Sequence, residues 1–191
     1  MSDNIRAFIA IDLPDYVLRG IGGIQAGLKQ SGVKVKWVRK ESVHLTLKFL
    51  GDIPAHRVGE IGAAVHEAVK DVRPFTLEGK GVGVFPDFRR PRVIWAGISG
   101  ELDTLKDLCQ RLEEALVKIG FPKEKRPFQA HLTVGRIKGG INKQILRAAL
   151  EEQKEFVTDP FTVASVILYQ SVLQPQGAIY TKLVEAELTD P

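Results

Sequence analysis

The chain repeats a short pattern around two of its four histidines. Val43-His44-Leu45-Thr46-Leu47 returns as Ala130-His131-Leu132-Thr133-Val134, an offset of 131 − 44 = 87. Chance would give a second His-Leu-Thr in about one chain in a hundred of this composition. The flanks repeat as well, at offset 86: Pro74-Phe75-Thr76-Leu77 recurs as Pro160-Phe161-Thr162-Val163, and Arg6-Ala7-Phe8-Ile9-Ala10 as Arg92-Val93-Ile94-Trp95-Ala96. Three matched blocks at nearly one spacing indicate a duplicated unit of about 87 residues. Two copies are too few for a solenoid and suit two lobes about a pseudo-twofold axis. The expected organisation is one bilobal domain over 1–191, with repeats near 5–84 and 92–170 and a last strand near 178–188.

Periodicity predicts the elements. Residues 5–12 read as a strand, and Asp12 and Pro14 supply a cap and first-turn signal for a helix using Val17, Ile21, Ile24 and Leu28. Gly20, Gly22, Gly23 and Gly27 weaken that helix by about 1 kcal/mol each relative to alanine. Strands near 34–38 and 43–50, a helix near 54–71 and a strand near 75–84 complete the first copy. The second runs strand 92–98, helix 102–119, strand 130–137, helix 142–154 and strand 161–170. Its first helix carries Leu102, Leu105, Leu108, Leu112, Leu116 and Ile119 on one stripe, ended by Gly120. The order approximates β-α-β-β-α-β twice, which predicts an α+β fold with largely antiparallel sheets around a pseudo-twofold cleft.

In a strand, residues i and i+2 share a face. Strict alternation puts His44, Thr46 and Lys48 on one face and Leu45, Leu47 and Phe49 on the other, toward a core. His131 and Thr133 share a face in the same way. If the two strands meet across the axis, two imidazoles and two hydroxyls converge on one cleft. That set suits in-line displacement at phosphorus: one neutral ring accepts a proton, one imidazolium donates one, and the hydroxyls bond the non-bridging oxygens. A single His-x-Thr strand is usually an ordinary half-exposed strand. Its duplication is what favours chemistry.

Composition narrows the alternatives. Cys109 is the only cysteine, so an intrachain disulfide or a site needing two thiolates is excluded. No apolar run approaches the roughly 20 residues of a membrane span. Met1-Ser2-Asp3-Asn4 lacks the basic start of a secretory signal, so a cytoplasmic location is expected. The net charge of +4 and pI near 9.2 suit an anionic partner such as RNA without identifying one. Basic stretches precede each tetrad: Lys34, Lys36, Arg39 and Lys40, then Lys123, Lys125 and Arg126. Phe85-Pro86-Asp87-Phe88-Arg89-Arg90 mixes rings with cations, a pattern that can hold a single-stranded RNA end. His56 and His66, ten apart on the 54–71 helix, lack the spacing of a helical zinc site. Gly79-Lys80-Gly81-Val82-Gly83 lacks the Lys-Ser/Thr of a phosphate loop, and no carboxylate cluster suggests bound magnesium.

The two His-x-Thr-x tetrads resemble the signature of the 2H phosphoesterases. More narrowly, the chain is similar to the RNA 2′,3′-cyclic phosphodiesterases, also called 2′-5′ RNA ligases. The resemblance rests on Arg6-Ala7-Phe8-Ile9-Ala10-Ile11, Trp37-Val38, His44 to Gly51, Phe85-Pro86, Pro91 to Trp95, His131 to Arg136, and Gly177 with Tyr180. It implies opening of a terminal cyclic phosphate to a 2′-phosphomonoester, with His44 as proton donor and His131 as proton acceptor. It also implies no metal, cofactor or nucleotide triphosphate, and a protein expected to act as a monomer. Thr46, Thr133 and Arg136 would bind substrate. Strict alternation places Arg136 opposite His131, so it reaches the cleft only if a bulge or a turn at Gly135 redirects it. A phosphodiesterase of small cyclic nucleotides and a non-catalytic RNA-end-binding module remain open.

Overall fold

A computed structural model describes residues 3–175 and 177–189. Met1 and Ser2, read above for a secretory leader, lie outside the described residues. The elements are β1 (Asn4–Ile11), α1 (Asp15–Gln30), β2 (Lys36–Trp37), β3 (Leu45–Pro54), α2 (Val58–Val69), β4 (Phe75–Phe85), β5 (Val93–Gly100), α3 (Leu102–Lys118), β6 (His131–Arg136), α4 (Lys143–Glu152), β7 (Phe161–Val163), β8 (Ser165–Gln174) and β9 (Gly177–Glu187). They form two antiparallel sheets, β3-β1-β8-β9 and β2-β6-β5-β4-β7, and the fold is α+β as the pattern predicts.

The two sheets do not follow the two repeats. β4 closes the first copy, yet it pairs with β5 of the second; β8 closes the second copy, yet it pairs with β1 of the first. Each sheet therefore contains strands from both copies, with β2 and β4 of the first copy in the second sheet, and the copies interlock. The single strand expected over 161–170 divides at Ala164, with β7 going to the edge of one sheet and β8 into the other. The strand expected at 34–38 shrinks to β2, where Lys36 and Trp37 pair in register with β6, while the Val38 amide still bonds the Val134 carbonyl at 3.1 Å. Residues 55–57 form a 3-10 turn before α2, so His56 lies in a turn, while His66 is on the exposed face of α2.

Core formation follows the sequence stripes. Val17, Ile21, Ile24 and Leu28 of α1 and Leu105, Leu108, Leu112 and Leu116 of α3 are buried in one cluster with Ile9, Leu45, Ile94 and Leu132 from the strands. α3 ends as expected, with Gly120 at φ +89° and the Gly120 and Phe121 amides bonded back to Val117 and Leu116. One glycine of α1, Gly27, has a use that offsets its cost, whereas Gly22 and Gly23 face open space. At Gly27 an added Cβ would stand 2.6 Å from the Gln153 side chain, so the segment after α4 can lie against the helix. Asp12 does not cap α1. The N-cap is Pro14, with no side-chain cap, and the Asp12 carboxylate is directed elsewhere.

Candidate active site

Two β-bulges shape the site. In β3, Thr46 pairs with Ala10 and Lys48 with Ile9, so Leu47 is the extra residue. In β6, Thr133 pairs with Trp95 and Gly135 with Ile94, so Val134 is extra. The bulge thus falls on the fourth residue of both tetrads. By this pairing Ala10 corresponds to Trp95, an offset of 95 − 10 = 85, one residue away from the alignment that sequence identity suggests.

A bulge reverses the alternation beyond it. Arg136 pairs with Val93, on the same face of β5 as Trp95, so it joins His131 and Thr133 on one face. Strict alternation, which placed it opposite, fails here. Two expectations on β3 fail for the same reason. Lys48 leaves the His44 face, is buried, and pairs with Glu113 of α3. Phe49, expected in the core, pairs with Phe8 on the cleft face and is 65% exposed. The bulge in β6 is fixed from behind by a residue that periodicity could not single out. Gln25 of α1, itself buried, donates through Nε2 to the Val134 carbonyl at 3.0 Å and the Val38 carbonyl at 2.7 Å.

His44 precedes β3 and sits on an aromatic floor. Its ring meets Tyr169 at 4.9 Å, Tyr180 at 5.2 Å and Phe8 at 6.1 Å, all edge-on. Its Nε2 lies 3.4 Å from Asp12 Oδ1. That carboxylate also accepts from the Tyr169 hydroxyl and, at Oδ2, from Lys182 Nζ at 2.9 Å. Burial holds the His44 pKa below its ordinary value; Asp12 and the Ser42 carbonyl act upward, and Lys182 acts downward. Nδ1 is buried and has no hydrogen-bond partner among the described residues. A pocket of about 400 Å³ opens beside Asp12, His44 and Lys182, walled by Arg39 and Tyr180.

His131 opens β6 and is better anchored. Its Nδ1 lies 2.7 Å from the Gln129 carbonyl, two residues back, which as an acceptor fixes the proton on Nδ1 and leaves Nε2 free to accept. Phe85 packs edge-on against its ring at 4.9 Å, and Trp95 lies 5.2 Å from Phe85. Trp95 fits because it rests on Gly83, where a Cβ would stand 2.3 Å from the indole. The glycine run 79–83 is therefore strand β4 beneath an aromatic ring, with Gly81 at φ +72° in its bulge.

Tyr180 of β9 packs among the aromatic rings around His44. It touches His44, and burial pushes its phenol above the ordinary value while Arg136 and Arg6 act in the opposite direction. Arg136, from the other sheet, is near enough to act on the Tyr180 phenol electrostatically. Neither threonine hydroxyl of the tetrads is engaged by another side chain among the described residues. Of the basic stretches, Lys36 pairs with Arg136 across β2 and β6, and Arg39 lines the pocket beside His44. Phe88 is covered by Arg147 at 4.9 Å, so it is not a free stacking ring. Among the described residues no group of three His, Cys, Asp or Glu side chains is placed to hold a metal ion, and no helix is long and apolar enough to cross a membrane.

Two interlocked antiparallel sheets carrying paired His-x-Thr strands fit the class of the 2H phosphoesterases. The family model described as LigT like Phosphoesterase matches this chain twice, over residues 11–95 and 97–180, and the chain belongs to that family. It is 37% identical over 180 residues to a protein of Methanothermobacter thermautotrophicus named RNA 2′,3′-cyclic phosphodiesterase, covering 94% of this chain and 97% of that one. A protein of the same name from Methanocaldococcus jannaschii is 34% identical over 181 residues, covering 95% and 99%. Among solved structures, a Thermus thermophilus protein superposes with a TM-score of 0.80 at 26% identity, covering 97% of this chain and 99% of that one. E. coli LigT complexed with 3′-AMP superposes at 0.78 with 24% identity, covering 98% and 100%, and shows likeness of fold.

Proposed function

We propose that the protein hydrolyses RNA ends carrying a 2′,3′-cyclic phosphate to 2′-phosphomonoesters. The observation that carries the reading is the matched placement of His44 with Thr46 and His131 with Thr133, with Arg136 turned to the same face by its bulge. Neutral His131 accepts a proton from water at Nε2 as the oxygen attacks phosphorus. The P–O3′ bond breaks, and protonated His44 gives its proton to the departing 3′ oxygen. The products are a 2′-phosphate and a 3′-hydroxyl, and the two rings have exchanged protonation states. Thr46, Thr133 and Arg136 donate to the non-bridging oxygens, where charge builds in the transition state. Asp12 favours the charged form of His44 against the cost of its burial.

An RNA 5′-hydroxyl in place of water gives a 2′-5′ linkage by the same proton transfers. That joining needs no triphosphate, since the cyclic ester is already activated. Acid, base and anion-binding donors all come from side chains, so the reaction as written needs no metal. One chain supplies both tetrads, so the site as proposed needs no second copy.

The deciding experiment is turnover of a short oligonucleotide ending in a 2′,3′-cyclic phosphate, with and without excess EDTA. Equal rates and a 2′-phosphate product support the reading. Binding without turnover would mark an RNA-end-binding module. Turnover of a small cyclic nucleotide alone would mark a different phosphodiesterase. Loss in EDTA with recovery on added zinc or manganese would overturn the two-histidine mechanism.

A further inference from the structure

Lys48 directly follows the bulge at Leu47, and the proton transfers make no use of it. Among the described residues it is the one buried charged side chain. An ammonium taken out of water is costly unless it is paired and hydrogen-bonded, so its partners carry information. Nζ donates to the Glu113 carboxylate of α3 and to the Pro122 carbonyl at 2.9 Å, and the same Glu113 oxygen accepts the Glu124 amide at 2.9 Å.

Both loop bonds fall on the connection from α3 to β6, which forms neither helix nor strand. Pro122 to Pro127 are exposed, and among the described residues no backbone-to-backbone hydrogen bond holds Pro122 to Gln129. Side chains fix its path instead. Arg57 donates to the Ile119 carbonyl and covers the Phe121 ring at 4.8 Å. Lys48 and Glu113 then hold Pro122 and Glu124, and the Glu124 carboxylate accepts the Lys125 and Arg126 amides. The connection ends at Gln129, whose carbonyl stands 2.7 Å from His131 Nδ1. Lys48 itself lies in β3, two residues beyond Thr46. The strand of the first tetrad thus grips the segment that orients the histidine of the second.

We propose that Lys48 and Glu113 are positioning residues that brace one tetrad against the other. By fixing the connection they hold the Gln129 carbonyl on His131 Nδ1 and so keep Nε2 free to accept the proton. The inference rests on the cyclic-phosphate reading, and neither residue touches the substrate. Stability and placement can be told apart at this pair. Replacing a buried ion pair by apolar residues is often neutral or stabilising, so it can restore the fold without restoring the two loop bonds.

The test compares Lys48→Met with the double variant Lys48→Met, Glu113→Leu. The single variant leaves Glu113 unpaired and should lower Tm, and the double variant should bring Tm back toward wild type. Nitrogen NMR of the rings, at a pH where His131 is neutral, reads the tautomer. The wild-type proton should sit on Nδ1. In both variants the His131 signals should move toward a mixture of tautomers, while those of His66, exposed on α2, stay in place. With an oligonucleotide ending in a 2′,3′-cyclic phosphate, the double variant should lose about 10- to 100-fold in kcat with KM little changed. A wild-type ring protonated at Nε2, or His131 signals unmoved in both variants, overturns the proposal. So does a double variant whose kcat recovers along with its Tm, since the pair would then serve stability alone. If wild type does not turn over the cyclic phosphate, the hydrolysis reading fails, and the His131 signals decide the brace by themselves.

Discussion

Nε2 of His44 lies 3.4 Å from Oδ1 of Asp12, whose carboxylate is held in turn by Tyr169 and Lys182. The imidazole is thus paired, within a mostly buried setting, to a carboxylate anchored from two strands. The charged and titratable groups facing it are Asp12 from the end of β1, Tyr169 from β8, and Tyr180 and Lys182 from β9, with the Ser42 carbonyl on the preceding turn. Burial and Lys182 disfavour the imidazolium, while Asp12 and Ser42 favour it.

The sign of the resulting pH dependence can be worked out. A proton donor must be charged, so activity falls as pH rises through its pKa. Asp12→Asn removes the raising influence while leaving an acceptor for Tyr169, so the alkaline limb of kcat/KM should move to lower pH. Lys182→Met removes a repelling charge and should move the same limb upward. Profiles of the three proteins check this. If His44 is instead the base, Asp12→Asn shifts the acid limb, and the donor assignment is reversed.

Much of this site was legible in the sequence, and the rest was hidden for identifiable reasons. His44, Thr46, His131 and Thr133 could be paired because a period of two holds over the three residues from histidine to threonine. It fails one residue later, at Leu47 and Val134, since a bulge leaves no local signature when the extra residue is itself apolar. Lys48, Phe49 and Arg136 therefore all lie on faces opposite to those alternation gives them. Asp12 was misread because an aspartate just before a proline-opened helix looks like a cap. Its real partners, Tyr169 and Lys182, lie over 150 residues away in sequence. The exchange of β4 and β8 between sheets was equally invisible, as duplication says which strands correspond and not which ones pair.

Gln25 should matter to the site through the bulge it holds. Gln25→Leu keeps the volume close but leaves the Val38 carbonyl without this donor and deprives Val134 of one of two. A buried carbonyl without a partner costs about 1–3 kcal/mol. For a chain of this size that lowers Tm by about 2–12 °C. KM should rise as Arg136 loses its placement, and calorimetry with steady-state kinetics reads both effects. Unchanged Tm with unchanged KM would show that the bulge holds itself.

The tetrad threonines separate chemistry from structure. Thr→Val at 46 or 133 keeps the β-branched shape that suits a strand and removes only the hydroxyl. Loss of one transition-state donor costs about 3 kcal/mol, roughly a hundredfold in kcat. Thermal stability should stay within about 1 kcal/mol of wild type, since neither hydroxyl engages a described side chain. Parallel losses of stability and rate would assign both residues to the scaffold.

The two histidines should behave as one unit. The reaction needs one ring neutral and the other charged, so rate against pH should be bell-shaped, with limbs belonging to the coupled pair. His44→Ala and His131→Ala should each cost about 10²–10⁴-fold in kcat. If each proton transfer depends on the other, the double variant should be little slower than the poorer single, because groups acting together are non-additive. Binding of a 3′-phosphorylated oligonucleotide should fall far less, since Arg136, Thr46 and Thr133 remain. The asymmetry of the two surroundings adds a finer expectation. His44 is largely buried and braced by aromatic rings, whereas His131 is held through its Gln129 carbonyl contact. Removing the His44 ring therefore leaves a larger void and should cost more stability than removing that of His131. A His44→Ala protein with native circular dichroism and wild-type turnover would remove the acid–base pair from the mechanism altogether.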